Sequence, residues 1–217
     1  MAAAPRGLVS GRHATRPMIA AIIFDIGGIL EPSYSIVREL SDFIGLNVDT
    51  MRDHLHRVHD ELSDGKMSLH EAYGQLVASS GTAMPARRAV EKHLELYRAA
   101  TLTTDHRVLS LIERLKHDYT VACLTNTEVE VGQLNRQRGY FQVFHKAFLS
   151  TEIGLHKPDP RVFEYVLRDL RCGPAAAVFV DDRIENVQGA RTAGLHAIHY
   201  EGFDSFPSAL NRVLGSA

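Results

Sequence analysis

Cysteine is scarce in this chain: Cys123 and Cys172 are the only two among 217 residues. Two cysteines cannot build the disulfide framework of a small secreted domain, and Cys123 lies in an apolar run that predicts a buried strand. The sequence also has no apolar run near the ~20 residues that a membrane-spanning helix requires. Its formal charge of −2 provides no broad basic surface for nucleic acid or anionic lipid. We therefore expect a cytoplasmic protein that binds a small molecule, with no nucleic acid and no membrane as partner, as a monomer or homodimer.

Residues 1–17 contain three arginines and no acidic residue, and they have no sustained apolar core. This composition is typical of a disordered tail, which we favour over an organellar transit peptide because arginine and alanine are frequent throughout the chain. From Met18 onward the pattern is globular. The apolar block at residues 18–24 is rich in β-branched residues and predicts a strand that is buried on both faces.

The rest of the chain divides into a helical block and an alternating block. Residues 33–99 carry four apolar stripes at helical spacing, and Ser68 with Glu71 forms a capping-box pattern before the third. After Thr101, helices alternate with strands, which predicts a parallel sheet with helices on both faces. The predicted fold class is α/β. The predicted domains are a core formed by residues 18–30 and 101–217 and a helical insert formed by residues 31–100.

Three histidines stand close together in the helical insert, at His54, His56 and His59. Relative to the apolar stripe of the predicted helix, these histidines lie mostly on the outward side. We therefore predict solvent-exposed side chains in preference to metal ligands. The stripe consists of Met51, Leu55, Val58 and Leu62.

Polar residues follow the predicted apolar strands, at the edge of a parallel sheet where ligands bind. Three carboxylates that converge there repel one another, and Mg²⁺ relieves this repulsion because it prefers oxygen ligands and leaves room for a phosphate. An ammonium group beside them would hold an anionic ligand, and a threonine hydroxyl with backbone amides would bind its other oxygens. The set suits an aspartate that attacks a phosphoryl group. Its members are Asp25, Thr125, Asn126, Lys157, Asp181 and Asp182.

Four segments, taken in order, resemble the signature motifs of the haloacid dehalogenase superfamily. They are "FDIGGIL", "LTN", "IGLHKPDPRVF" and "VFVDDRIENVQGARTAG", and the resemblance extends from residue 18 to about residue 200. The resemblance implies a Rossmann-like core of five parallel strands with an inserted four-helix cap. It also implies phosphate monoester hydrolysis of a small phosphorylated metabolite through an aspartyl-phosphate.

The resemblance further assigns roles to individual residues. It implies that Asp25 is the nucleophile, that Thr125 and Asn126 bind the substrate, and that Lys157 bridges nucleophile and phosphate. Magnesium would be bound by Asp25, by Asp182 and by the backbone carbonyl of Gly27, with Asp181 in support.

Gly27 departs from the pattern of the phosphatases in this superfamily, which carry a second aspartate at that position as general acid and base. A positioned acid or base is worth about 10²- to 10⁴-fold in rate. We expect either a substrate with a good leaving group, such as an anomeric or acyl phosphate, or an acid from elsewhere: Glu31, Glu128 or a cap histidine. One alternative is a non-catalytic protein that binds a phosphorylated ligand or a protein partner. Another is a 2-haloacid dehalogenase, against which the pair Asp181 and Asp182 argues, because that branch works without metal.

Overall fold

The computed structural model describes residues 18–215, so the predicted tail at residues 1–17 lies outside the described residues. Five parallel strands form one sheet: β1 (Ala21–Phe24), β2 (Thr120–Thr125), β3 (Lys146–Leu149), β4 (Ala177–Asp181) and β5 (His196–His199). Their order across the sheet is β3-β2-β1-β4-β5. The predicted α/β fold with a five-stranded parallel sheet is confirmed.

The central strand β1 determines where a ligand can bind. Phe24 lies opposite Cys123 of β2 on one side and opposite Val180 of β4 on the other. Along the chain after β1, β2 and β3 come first and lie on one side of that strand, and β4 and β5 follow and lie on the other side. The strand order therefore reverses beside β1, and a crevice opens at the carboxyl ends of these three strands.

Helices connect and cover the strands, and none of them between residues 18 and 215 is long and apolar enough to cross a membrane. Two short 3₁₀ helices span Tyr140–Val143 and Pro174–Ala176. The α-helices are α1 (Val37–Ile44), α2 (Val48–Ser63), α3 (Leu69–Ser80), α4 (Ala86–Ala100), α5 (His106–Leu115), α6 (Val129–Gln137), α7 (Ser150–Ile153), α8 (Pro160–Leu170), α9 (Ile184–Thr192) and α10 (Phe206–Leu214).

Successive residues of β1 face two different hydrophobic cores, as expected for a strand that is covered on both sides. Ile22 and Phe24 pack in the core that α5 and α10 share. Ala21 and Ile23 pack in the core that α8 and α9 share. Helix α10, which the sequence patterns did not predict, closes the first core with the buried side chains of Phe206 and Leu210.

Helices α1–α4 follow β1 and have a hydrophobic cluster of their own. Each helix contributes to it, for example through Leu40, Met51, Tyr73 and Tyr97. Val131 and Leu134 of α6 belong to the same cluster, so the four helices rest on the core through α6. The inserted four-helix cap of the predicted fold is therefore present, whereas the domain boundaries at residues 30 and 100 stay a prediction.

The buried face of α2 differs from the predicted stripe by one residue. His54 is buried and its Nε2 lies 2.8 Å from the backbone oxygen of Ala72, whereas Leu55 is only partly buried. The prediction of an exposed His54 is wrong because a hydrogen bond to a neighbouring helix satisfies the imidazole inside the cap. His56 and His59 are exposed, as predicted.

The capping box at the start of α3 is present. The backbone N–H of Ser68 donates to Glu71 Oε2 at 2.8 Å, and the N–H of Glu71 donates to Ser68 Oγ at 3.2 Å. Two N–H groups that have no partner within the helix are satisfied in this way.

Replacement of Ser68 by alanine removes one of these bonds. We expect Ser68→Ala to lower the free energy of unfolding by about 1 kcal/mol, measured by urea denaturation. Ser79→Ala is the matched control, because Ser79 is exposed in the last turn of the same helix. An equal effect of both substitutions would contradict a specific role of the cap.

Candidate active site

The predicted site residues follow the carboxyl ends of the three central strands. Asp25 follows β1, Thr125 is the last residue of β2, and Asp181 is the last residue of β4. Asp182 comes next in the chain, and Lys157 lies in the loop between α7 and α8. The structure brings the three aspartates together, with one carboxylate oxygen of each within 4.8 Å of the others.

Lys157 lies between two of these carboxylates. Its Nζ is 2.7 Å from Asp25 Oδ1 and 2.7 Å from Asp181 Oδ2, and its side chain is 1% exposed. Burial alone would lower the pKa of Lys157, but the charges of Asp25 and Asp181 outweigh burial and raise that pKa above its ordinary value. The lysine is therefore a fixed positive charge at the base of the site.

Asn126 holds the backbone of Lys157 in place. Its Nδ2 donates to the carbonyl oxygen of Lys157 at 2.8 Å, and the N–H of Lys157 donates to Asn126 Oδ1 at 2.9 Å. Both polar atoms of this side chain are thus engaged with the backbone of Lys157. The predicted contact of Asn126 with substrate stays a prediction, and its positioning of Lys157 was missed because it joins segments far apart in sequence.

The adjacent aspartates Asp181 and Asp182 have different environments. Asp181 is fully buried and accepts hydrogen bonds from Lys157, from Asn186 Nδ2 and from the N–H of Arg183. Asp182 accepts a longer bond, 3.3 Å, from the hydroxyl of Ser33. Burial and the charge of Asp181 raise the pKa of Asp182. Asp182 therefore offers oxygens to a ligand, whereas those of Asp181 already have partners.

The charges of this cluster fit a hard divalent cation. Asp25, Asp181 and Asp182 contribute three negative charges and Lys157 contributes one positive charge, which leaves a net charge of −2. Burial raises the pKa of Asp25 to about 6, although Lys157 opposes the shift. A cation at this place would favour the ionised carboxylates that burial disfavours. Clustered carboxylate oxygens are the donor set that Mg²⁺ prefers.

Gly27 and Gly28 differ in whether the structure requires a glycine at that position. A Cβ on Gly27 would meet no atom within 4 Å, so space does not require glycine there. Gly28 has a φ of 70°, and a Cβ on it would overlap with the carboxylate of Asp182. Gly28 is thus required for the close approach of Asp182.

A cavity of about 250 Å³ opens over the aspartates. Tyr34 and Tyr97 line its cap side, and Thr125 lines its core side. Glu31 and Glu128 also line it, whereas no histidine of residues 18–215 does. Of the three proposed sources of a proton, the two glutamates therefore share the cavity with Asp25.

Glu31 is buried, and its Oε1 has no hydrogen-bond partner among residues 18–215. Burial raises the pKa of its carboxyl group, and the charge of Asp25 adds to this effect. Glu31 is thus a desolvated acid in the wall of the cavity.

Comparison with known proteins gives one family, and two of the relatives match this chain over most of their own length. The family model described as haloacid dehalogenase-like hydrolase matches residues 15–194. The sesquiterpene phosphatase astK of Aspergillus oryzae is 28% identical over 184 residues, which are 82% of this chain and 88% of that protein. The D-ribitol-5-phosphate phosphatase of Bacteroides thetaiotaomicron is 27% identical over 213 residues, which are 92% of this chain and 100% of that protein.

Among solved structures, the HAD-family enzyme bt-2542 of Bacteroides thetaiotaomicron in complex with magnesium superposes with a TM-score of 0.73. The match covers 88% of this chain and 98% of that one at 18% sequence identity. This likeness shows a shared fold.

The two glycines provide a matched pair for a stability measurement. We expect Gly28→Ala to lower the free energy of unfolding by about 1 to 2 kcal/mol for the left-handed backbone, with a further loss from the overlap with Asp182. Gly27→Ala should change it by less than about 0.5 kcal/mol, because its Cβ enters open space. Chemical denaturation of both variants measures the difference, and equal losses would contradict the assignment.

Proposed function

We propose that this chain, which belongs to the haloacid dehalogenase-like hydrolase family, is a magnesium-dependent phosphatase that acts on a small phosphorylated metabolite. The observation that carries the proposal is the buried Lys157 between Asp25 and Asp181, with Asp182 beside them at the base of a cavity. Relatives named as phosphatases of ribitol 5-phosphate and of a sesquiterpene support the substrate class.

The residues present fit a magnesium ion. Asp25, Asp182 and the backbone carbonyl of Gly27 would hold it, and Asp181 would stay with Lys157 and Asn186. When bound, such an ion supplies positive charge that stabilises the oxygens of a transferring phosphoryl group.

The chain's own residues account for the remaining chemistry. A carboxylate oxygen of Asp25 attacks phosphorus, and the bond from phosphorus to the leaving-group oxygen breaks. That oxygen departs with the bonding electron pair and, where it needs a proton, takes one from water or from an acidic side chain of the cavity. Lys157 fixes the orientation of Asp25 and places a positive charge beside the oxygens of the phosphoryl group. Thr125 lines the same cavity, and its hydroxyl would donate to a phosphoryl oxygen. Water then hydrolyses the aspartyl-phosphate and regenerates Asp25.

Gly27 has no side chain that could protonate the leaving group. We infer a substrate whose leaving group departs with little help from an acid, as an anomeric or acyl phosphate does. Glu31 and Glu128 are the acidic side chains that share the cavity and can assist from other positions.

Phosphate release from a panel of sugar, acyl and alkyl phosphates tests the activity directly. We expect turnover that requires Mg²⁺ and that falls by more than about 10³-fold in Asp25→Asn, which keeps the shape of the nucleophile and removes its charge. Asp42→Asn, on the exposed surface of the cap, is the matched control and should retain activity.

Two results would overturn the proposal. A wild-type protein that is folded but inert with every phosphate ester would favour a binding protein. Halide release from a 2-haloacid without added metal would favour a dehalogenase.

Gly27→Asp tests the inference about the leaving group. A Cβ on Gly27 would enter open space, so the substitution introduces a carboxyl group without an overlap at the Cβ. We expect turnover of alkyl phosphates, which have poor leaving groups, to rise by about 10²-fold, and turnover of aryl phosphates to change little. Gly27→Ala controls for the added Cβ and should leave both rates unchanged. Equal effects of Gly27→Asp on both substrate classes would contradict the inference.

A further inference from the structure

A second group of ligand atoms lies away from the three aspartates, where the cap meets the core. His59 and Asp60 of α2 and His156 of the loop before Lys157 each offer one donor atom within 4.8 Å of the others. The histidine pattern of α2 did not predict this group, because its third member comes from another segment of the chain.

The orientation of His156 leaves one ring nitrogen directed at the group. Its Nδ1 lies 2.7 Å from Asp64 Oδ1, and a carboxylate can only accept, so His156 donates from Nδ1. Its Nε2 lies 3.5 Å from Asp60 Oδ1. A histidine that donates one N–H to a carboxylate and presents the other nitrogen is the usual arrangement of a metal-bound imidazole.

Asp64 is well suited to this orienting role. Lys66 Nζ lies 2.7 Å from Asp64 Oδ2, and the other oxygen is engaged by His156. Although burial would raise the pKa of Asp64, hydrogen bonds from Lys66 and His156 lower it, so the group stays an acceptor.

His59 completes the set from the same turn of α2 as Asp60. Its ring centre is 5.8 Å from that of His156, and the two rings are inclined at 80°. Desolvation and the neighbouring His156 lower the pKa of His59. A neutral imidazole is the form that binds a metal.

We propose that His59, Asp60 and His156 bind a divalent transition-metal ion of the zinc type, which joins α2 of the cap to the loop that carries Lys157. Two imidazole nitrogens and one carboxylate oxygen form a ligand set that zinc accepts, with water in the fourth position. Mg²⁺ prefers an all-oxygen set, so the two sites select different ions. Because His59 and Asp60 are exposed, their side chains can close on the ion with little resistance from packing.

Isothermal titration of the metal-stripped full chain with ZnCl₂, in buffer that contains saturating MgCl₂, tests the proposal without measuring turnover. We expect one zinc ion per chain. His59→Ala and Asp60→Asn should each weaken this binding by at least about tenfold, and Asp64→Asn by about tenfold through the orientation of His156. His56→Ala is the matched control, since His56 is exposed on the same helix and outside the group.

Titration with Co²⁺ adds a readout of the ligands themselves, because Co²⁺ in a four-coordinate site absorbs visible light much more strongly than Co²⁺ in water, and His59→Ala should remove this stronger absorption. Unchanged circular dichroism would show that each variant is folded. The proposal is overturned if the wild type binds no zinc under these conditions. It is equally overturned if zinc binding of His59→Ala matches that of His56→Ala.

Discussion

The buried ammonium of Lys157 between Asp25 and Asp181 is the interaction on which the site depends. Two carboxylates at the ends of adjacent buried strands would be costly without a positive charge between them. Lys157 supplies that charge at 2.7 Å from each, and Asn126 fixes the backbone from which the lysine projects. The parallel pairing of β1 with β4 therefore brings the two carboxylates together. Lys157, in the loop after α7, relieves most of their repulsion.

Lys157 balances only part of the negative charge of the three aspartates. The different environments of Asp181 and Asp182 show where a further positive charge can bind. Asp181 has partners for both oxygens, whereas Asp182 lies close over Gly28 and faces the cavity. A hard cation and a phosphoryl group would complete the site in the way that we propose. A Cβ on Gly27 would meet no neighbouring atom, so steric fit does not require glycine at that position.

The sequence predicted what depends on strand ends and on local periodicity. Asp25 and Asp181 could be placed together because parallel strands bring their carboxyl ends to one edge of the sheet. Contacts between distant segments could not be read in this way. The clamp of Asn126 on Lys157 and the bond of His54 to Ala72 each depend on how two elements pack, and the apolar stripe of α2 was misjudged by one position for that reason. The proximity of His59 and His156 could not be predicted for the same reason, because the two residues come from distant segments.

If Asp25 is the nucleophile, the phosphoryl group passes to its carboxylate during turnover. Rapid quenching with borohydride during turnover, followed by peptide mass spectrometry, tests it most directly, because borohydride reduces an acyl phosphate of aspartate to homoserine. We expect homoserine at residue 25 when both phosphorylated substrate and Mg²⁺ are present, and unmodified aspartate when either is omitted. Phosphate release with no homoserine at residue 25 at any quench time would contradict it.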